Sequence, residues 1–587
     1  MNSRISALAV VVLAGTCLPG LAQTCPITLA IHPSSPGYVI PTNYLGLSVS
    51  SMSIDGDSGY TKCFTTANTQ MVNLFKQVGV KHLRTIMGKA NPSNTDPSNS
   101  QVDSFFDFAA AAGVSRIIWS MHLYNADPGV VTNWSNNKAV ATHIWNTTTA
   151  QGTVERNLLE SFAFDNEPDW LKTICCADPL ITGYYTPTNN GYIDKWKIWY
   201  ETIHAAGVAP GASFSGPDTG SEWPAATTTS VDTSIGGVPF TLRFATDART
   251  NIITATQHFY GASSSGLSAD DMAEACLSAS WVTNYYPALA NDALAGAANW
   301  PTSNAGAPMP YRFTECSAFN NGGGNKANHI FATALWALDF YHWWAQQGCA
   351  GMNPFTRTVQ YNSPIYYDGT NYTAAPYAYA MKAFALGGGG SVIGPGQFAI
   401  SNPSNINVTA YGVVNATNLY VTVINKTFDT VGSSTAAVSI PAPTGFALKQ
   451  ARCVVLSGGA TAGASGNGTI EGACLGGTEI PNDGSSWAGT WTALPVSAGG
   501  VSLSVLPTTA AIIALQIQPL PELQAATSGG DVQLTVSMPT PAQLATLQAS
   551  TDLRNWTNLC TNTPPFTFTD LIEQTPPCRF YRARLGP

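Results

Sequence analysis

The sequence predicts an α/β protein: a (β/α)8 TIM barrel, followed by an antiparallel β-sandwich and a small C-terminal β module. Three observations predict it. Between Tyr38 and Tyr372 strand-like runs alternate with helical ones, and eight of them end near Ser48, Arg84, Ser120, Glu167, Ser215, His258, Glu315 and Pro354, the count that closes a parallel barrel. Beyond Gly387-Gly-Gly-Gly390 the period changes to two, in runs such as Leu419-Tyr-Val-Thr-Val-Ile424, Val501-Ser-Leu-Ser-Val505 and Ala511-Ile-Ile-Ala-Leu515. Such alternation gives antiparallel strands with one face in a core. Last, Gln518-Pro-Leu-Pro-Glu522 reads as a stiff linker, after which Val532, Leu534, Val536, Phe566, Phe568 and Phe580 supply a small core of their own.

Taken in order, the chain opens on Met1-Asn-Ser-Arg4, a short positive start, and an apolar run from Ile5 to Leu18. That run is too short for an ordinary membrane helix, and Gly20-Leu-Ala22 offers small residues before a cut ahead of Gln23. Residues 1–22 are therefore expected to be a removable export signal, and the mature protein to be secreted or periplasmic. Lipid anchoring at Cys17 is the alternative. Cys25 to Ile31 reads as a lone strand within 23–37 that joins the later sandwich. The barrel is expected over 38–387, the sandwich over 388–517, the linker over 518–523 and the last module over 524–587. Within the barrel the clearest helix is Lys326 to Gln347, where Phe331, Ala334, Leu335, Leu338, Tyr341 and Ala345 recur at three- and four-residue spacing before Gly348. Its tryptophans, Trp336, Trp343 and Trp344, read as core packing.

Bulk numbers narrow the function. At 587 residues the chain exceeds one ordinary core. With 25 basic and 34 acidic residues, a net charge of −9 and no long basic run, neither nucleic acid nor an anionic membrane surface is an expected partner. No later run is long enough to span a membrane. Twelve cysteines become eleven if Cys17 leaves with the signal, and an odd count implies a free thiol or an intermolecular bridge. Cys453 with Cys474, and Cys560 with Cys578, read as local bridges; Cys175, Cys176, Cys276 and Cys349 are further candidates. Cys316 is expected to be buried and reduced. Eight Asn-X-Ser/Thr sequons, Asn133, Asn146 and Asn555 among them, are expected to be exposed. The eight histidines lack metal-binding spacing, and no metal or cofactor is implied.

Two stretches carry the chemistry. Ser161-Phe-Ala-Phe-Asp-Asn-Glu-Pro-Asp-Trp170 is a buried-strand run that ends in acids and an amide, groups that are costly unless they face a cleft. Pro168 is expected to hold Glu167 extended, because a residue before proline is pushed out of the helical region. Met309-Pro-Tyr-Arg-Phe-Thr-Glu315 is a second such run, followed by a loop containing Gly322-Gly-Gly324. At roughly 40–50 residues per βα unit, the two glutamates stand about three units apart. Two carboxyl groups at strand ends are what glycoside hydrolysis needs: one gives a proton to the leaving oxygen, the other attacks the sugar carbon or activates water.

Asn166-Glu-Pro-Asp169, the Arg312-to-Gly324 stretch and Phe331-Ala-Thr-Ala-Leu-Trp-Ala-Leu-Asp339 together resemble glycoside hydrolase family 79, β-glucuronidases and heparanase-like enzymes of the large barrel clan of retaining glycosidases. The resemblance covers about Tyr38 to Ile517. It implies Glu167 as general acid/base, Glu315 as nucleophile and Asn166 on the sugar 2-hydroxyl. Tyr260, in Gln257-His-Phe-Tyr260, would donate to Glu315, with His258 beside it, and Arg84 would keep Glu315 ionised. The glucuronate carboxylate would be held by the Ala318-to-Asn320 loop and by Tyr361 or Tyr366. A cation and a phenol beside Glu315 favour its charge, and that charge favours the protonated form of Glu167.

The expected partner is thus a glycan or glycoside containing uronic acid, attacked by double displacement. One alternative keeps the chemistry on a neutral β-xyloside or β-glucoside; another is a non-catalytic carbohydrate-binding protein. For single residues the bland readings are a buried ion pair for Glu167 or Glu315, a satisfied core group for Tyr260 or His258, a structural salt bridge for Arg84, and core packing for Trp119, Tyr124 or Trp223. Thiol chemistry at Cys316 lacks a histidine partner.

Overall fold

A computed structural model describes residues 24–55, 62–86, 97–122, 137–146, 148–170, 191–220, 240–263, 266–293, 300–320, 329–361, 363–428, 434–458, 471–528, 531–539, 543–571 and 578–586. The expected export signal over residues 1–22, and Cys175, Cys176, Tyr124, Trp223 and Lys326, lie outside them.

Eight strands form the barrel: β1 (Gly46–Ser50), β2 (His82–Ile86), β3 (Arg116–Met121), β4 (Leu159–Phe164), β5 (Ser215–Thr219), β6 (Thr254–Ser263), β7 (Tyr311–Asn320) and β8 (Gly351–Thr356). Neighbours pair in parallel around the ring, β8 against β1. Closure comes ahead of β5, where Phe162 pairs with Phe214 and its N–H donates to Ser213 O at 2.9 Å. β2 is buried at every residue, as strands covered by helices on one side and filled from within on the other must be. The fifth strand begins rather than ends at Ser215: Gly216-Pro217, a punctuation signal in most contexts, lies inside it.

The connecting helices follow from apolar stripes and caps. In Asn99–Ala112 the Ser98 N–H donates to Gln101 Oε1 at 2.7 Å, Val102, Phe105, Phe106 and Ala109 face inward, and Gly113 ends the helix at φ +78°. Trp119 stacks on Phe106 and meets Phe105 edge-on, which places it in the core rather than in a sugar subsite.

The aromatic helix runs over Ala332–Gln346 and is buried from Ala332 to Ala345. It is apolar all round because it lies between barrel and sandwich. Its one acid, Asp339, takes Lys426 Nζ, Thr409 Oγ1 and Tyr411 Oη from the sandwich, each at 2.7 Å, the company a buried charge needs.

The sandwich packs a seven-stranded sheet on a four-stranded one. The strand Thr24–Ile31 lies inside the smaller sheet with alternate residues buried. It runs antiparallel to Phe398–Ser401 but parallel to Thr435–Ile440, so the sandwich is not antiparallel throughout. Two three-stranded sheets around Leu534, Val536, Ala545 and Leu547 make the last module.

Three expectations need correcting. Cys453 and Cys474 are both unpaired thiols. Cys474 pairs across from Ser457, and four residues of strand put Cys453 about 13 Å away along the ladder, beyond disulfide reach. Cys560 and Cys578 are likewise unpaired, and among the described residues no disulfide forms. Asn425, a sequon, is wholly buried and donates to Ser434 O and Val505 O. Among the described residues, no helix is long and apolar enough to cross a membrane.

Candidate active site

Glu167 follows β4 and Glu315 lies in β7, and both side chains reach the carboxyl-end mouth of the barrel. One oxygen of each carboxyl and one ring nitrogen of His258 all lie within 4.8 Å of one another. His258 Nδ1 stands 3.2 Å from Glu167 Oε1 and 4.0 Å from Glu315 Oε2. The two glutamates therefore share one pocket.

Each oxygen of Glu315 has its own donor. Arg84 Nη1, from β2, donates to Oε2 at 3.3 Å, and the Tyr260 hydroxyl, from β6, donates to Oε1. Burial, then the charge and hydrogen bond of Glu315, push the Tyr260 phenol well above its ordinary range, so it remains a donor at any working pH. Arg84 is fully buried, which keeps solvent from weakening the pair.

Asp218, in β5, carried no local signature in the sequence, yet it organises this site. Its carboxylate accepts from Arg84 Nη2 at 2.9 Å and from the Thr314 hydroxyl, and its backbone oxygen accepts the Glu167 N–H at 2.9 Å. Burial opposes its charge, but Arg84, His258 and the hydroxyls of Thr314 and Thr256 together hold its pKa below the ordinary carboxylate value. Asp218 thus orients the cation that serves Glu315 and anchors the backbone of Glu167.

The backbone between β4 and β5 shows the consequence. Glu167 is not extended: its φ is +55°, with Asp165 at +72° and Asp218 at +59°. Such left-handed positions cost about 1–3 kcal/mol each away from glycine. The hydrogen bond from Glu167 N–H to Asp218 O, and one from Gly220 N–H to Asp169 Oδ1 at 2.9 Å, draw the segment against β5 and override the preference set by Pro168. Gly220 has no room for a side chain, since a Cβ there would come within 2.6 Å of Glu167 Cγ and Cδ. Its packing role was equally silent in the sequence.

Of the other expected residues, Asn166 is buried beside Glu167, and among the described residues its Oδ1 has no hydrogen-bond partner. His258 Nε2 is in the same position. Tyr361 and Tyr366 stack on each other at 5.0 Å with His329 edge-on to both, beyond β8. Asn320 ends β7. Among the described residues no hydrogen bond or ring contact joins Asn320, Tyr361 or Tyr366 to the glutamates. Cys316 is wholly buried, and burial above all pushes its thiol well above the usual range, leaving it unreactive.

Solved structures share this architecture. A 4-O-α-L-rhamnosyl-β-D-glucuronidase from Fusarium oxysporum superposes with a TM-score of 0.53 at 14% identity, over 83% of this chain and 99% of that one. A family 51 α-L-arabinofuranosidase from Bifidobacterium longum gives 0.55 at 13%, over 84% and 100%. A bifunctional glucanase-xylanase from a metagenome library gives 0.53 at 15%, again over 84% and 100%. The fold is one that glycoside hydrolases use. No family model matches the chain, and no curated protein matches it.

Asp218→Asn is expected to destabilise the fold at neutral pH by less than the roughly 3–5 kcal/mol of stranding a buried charge, because Arg84 loses its nearer partner but keeps Glu315 at 3.3 Å. Because its folded pKa is depressed, the aspartate stabilises above its unfolded pKa of about 3.9, and that contribution fades as pH falls through the folded value. Urea unfolding of both proteins should show the gap narrowing in acid. A gap that widened there would contradict the ion-pair role.

Proposed function

We propose that this chain is a retaining glycoside hydrolase, exported and exo-acting, that removes terminal β-linked glucuronic acid from glycans. The reading is carried by one observation: carboxyl oxygens of Glu167 and Glu315 lie within 4.8 Å of each other. Retaining enzymes hold the two carboxyl groups about 5–5.5 Å apart, whereas inverting ones leave about 6.5–9.5 Å for a water.

In this mechanism Glu315 attacks the anomeric carbon, and the aglycone leaves with the proton of Glu167. Water then enters on the same face and Glu167, now the base, takes its proton as the bond to Glu315 breaks. Arg84 and Tyr260 hold and aim the Glu315 carboxylate. His258 orients Glu167. The free Oδ1 of Asn166 accepts the sugar 2-hydroxyl, a contact that strengthens as positive charge builds on the ring.

Support for glucuronate over a neutral sugar is the resemblance to glycoside hydrolase family 79 around Glu167 and Glu315, and the occurrence of a β-D-glucuronidase on this fold. The uronate carboxylate would lie toward Asn320 and the Tyr361–Tyr366 pair. A panel of nitrophenyl β-glycosides tests the assignment. The glucuronide should be turned over and the xyloside and glucoside poorly; preference for either neutral sugar would reassign the substrate while leaving the chemistry.

The last module contributes no residue to this pocket among those described. Ending the chain after Leu520 is expected to leave nitrophenyl-glycoside turnover unchanged. A truncated protein that folds, by circular dichroism, but does not turn over would show that the module completes the site.

A further inference from the structure

Three helices outside the barrel, Asn99–Ala112, Asn137–Trp145 and Ala150–Leu158, each place one side chain in a common cluster: Asp103, His143 and Glu155. One donor atom of each lies within 4.8 Å of the other two. His143 Nε2 is 2.6 Å from Asp103 Oδ1 and 3.8 Å from Glu155 Oε1. Asp103 and His143 are 35% and 26% exposed, so the cluster opens to solvent on one side, while the Glu155 side chain is 0% exposed.

Glu155 is what needs explaining. Neither of its carboxyl oxygens has a hydrogen bond of normal geometry among the described residues. Burial above all, then Asp103 and Asp107, push its carboxyl above the ordinary range, and the adjacent Arg156 lies over the Trp145 ring instead, 4.1 Å from its centroid. A buried carboxylate with acidic neighbours and no lysine or arginine is costly. A cation held between the three donors would remove that cost.

We propose that Asp103, His143 and Glu155 form a binding site for a divalent transition-metal ion, zinc being the best match, that clips the three helices together. Two carboxylate oxygens and one imidazole nitrogen are a zinc-type donor set, with water as the fourth ligand; calcium and magnesium prefer oxygen alone. Bonds of about 2.0–2.1 Å set tetrahedral ligands about 3.3 Å apart, so His143 and Asp103 need to part by less than about 1 Å from their hydrogen-bonded spacing. Because each ligand sits on its own helix, no short spacing in the sequence announces the site.

The test is zinc binding to the full-length protein, measured by competition with a chromogenic chelator, alongside thermal unfolding with and without zinc. One equivalent is expected, with a rise in the thermal midpoint. Glu155→Gln and His143→Gln should each weaken binding by more than the roughly 10–100-fold that losing an outer partner costs, and abolish the thermal shift. Metal-free Glu155→Gln should melt no lower than the parent, since burial already opposes the charge of the carboxyl it replaces. Should that variant fail to fold, Asp103→Asn at the solvent edge gives the same comparison. The site is overturned if zinc does not bind, if these variants bind it as the parent does, or if Glu315→Gln or thiol alkylation removes it instead.

Discussion

Glu315→Gln is expected to lower turnover of an aryl β-glucuronide by on the order of 10⁴- to 10⁶-fold, the scale of losing a nucleophile, with the fold and thermal midpoint close to the parent's. The amide keeps the shape of the side chain: its oxygen can still accept from Arg84 Nη1, while its NH2 can donate to the Tyr260 hydroxyl oxygen, which then accepts instead of donating. It cannot form the glycosyl ester. Arg84 loses one counter-charge but retains Asp218 at 2.9 Å, so no cation is stranded. Steady-state kinetics with circular dichroism checks the expectation. A second reading comes from Glu315→Ala with azide: an outside nucleophile should restore turnover and give the α-glycosyl azide. Activity within tenfold of the parent would remove Glu315 from the nucleophile's role.

Glu167→Gln should produce a different pattern, because an acid matters only as much as its leaving group needs a proton. With a nitrophenyl aglycone, which departs as a stable anion, the first displacement should be slowed little. Departure of an alcohol or sugar should slow by about 10²- to 10⁴-fold or more, the usual yield of general acid–base catalysis. The second displacement also loses its base, so glycosyl-enzyme should accumulate and appear as a burst. Azide added to Glu167→Ala should give the β-glycosyl azide. Equal losses on good and poor leaving groups, with no burst, would show that Glu167 is not the proton donor.

The legible part of this protein is where local pattern and chemistry coincide. Glu167 and Glu315 could be read because each stands at the end of an apolar run, and Arg84 and Tyr260 because the resemblance to glycoside hydrolase family 79 implies them. Asp218 and Gly220 could not. The proline inside β5 made its end look like a turn, and their roles rest on contacts with residues far away in the chain, such as Arg84 Nη2 to Asp218 Oδ2. Backbone conformation failed for a related reason. The pre-proline rule at Glu167 is a local preference, and a hydrogen bond to the next strand outweighs it. Strand register, likewise beyond single-sequence reading, separates Cys453 from Cys474.

The spacing of the two carboxyl groups makes a claim about stereochemistry that one spectrum can decide. Proton NMR of the anomeric region in the first minutes of hydrolysis of an aryl β-glucuronide should show β-glucuronic acid appearing first, with the α-anomer growing in only by mutarotation. If the α-anomer is the first product, water attacks directly, and Glu315 is not the group that bonds to the sugar.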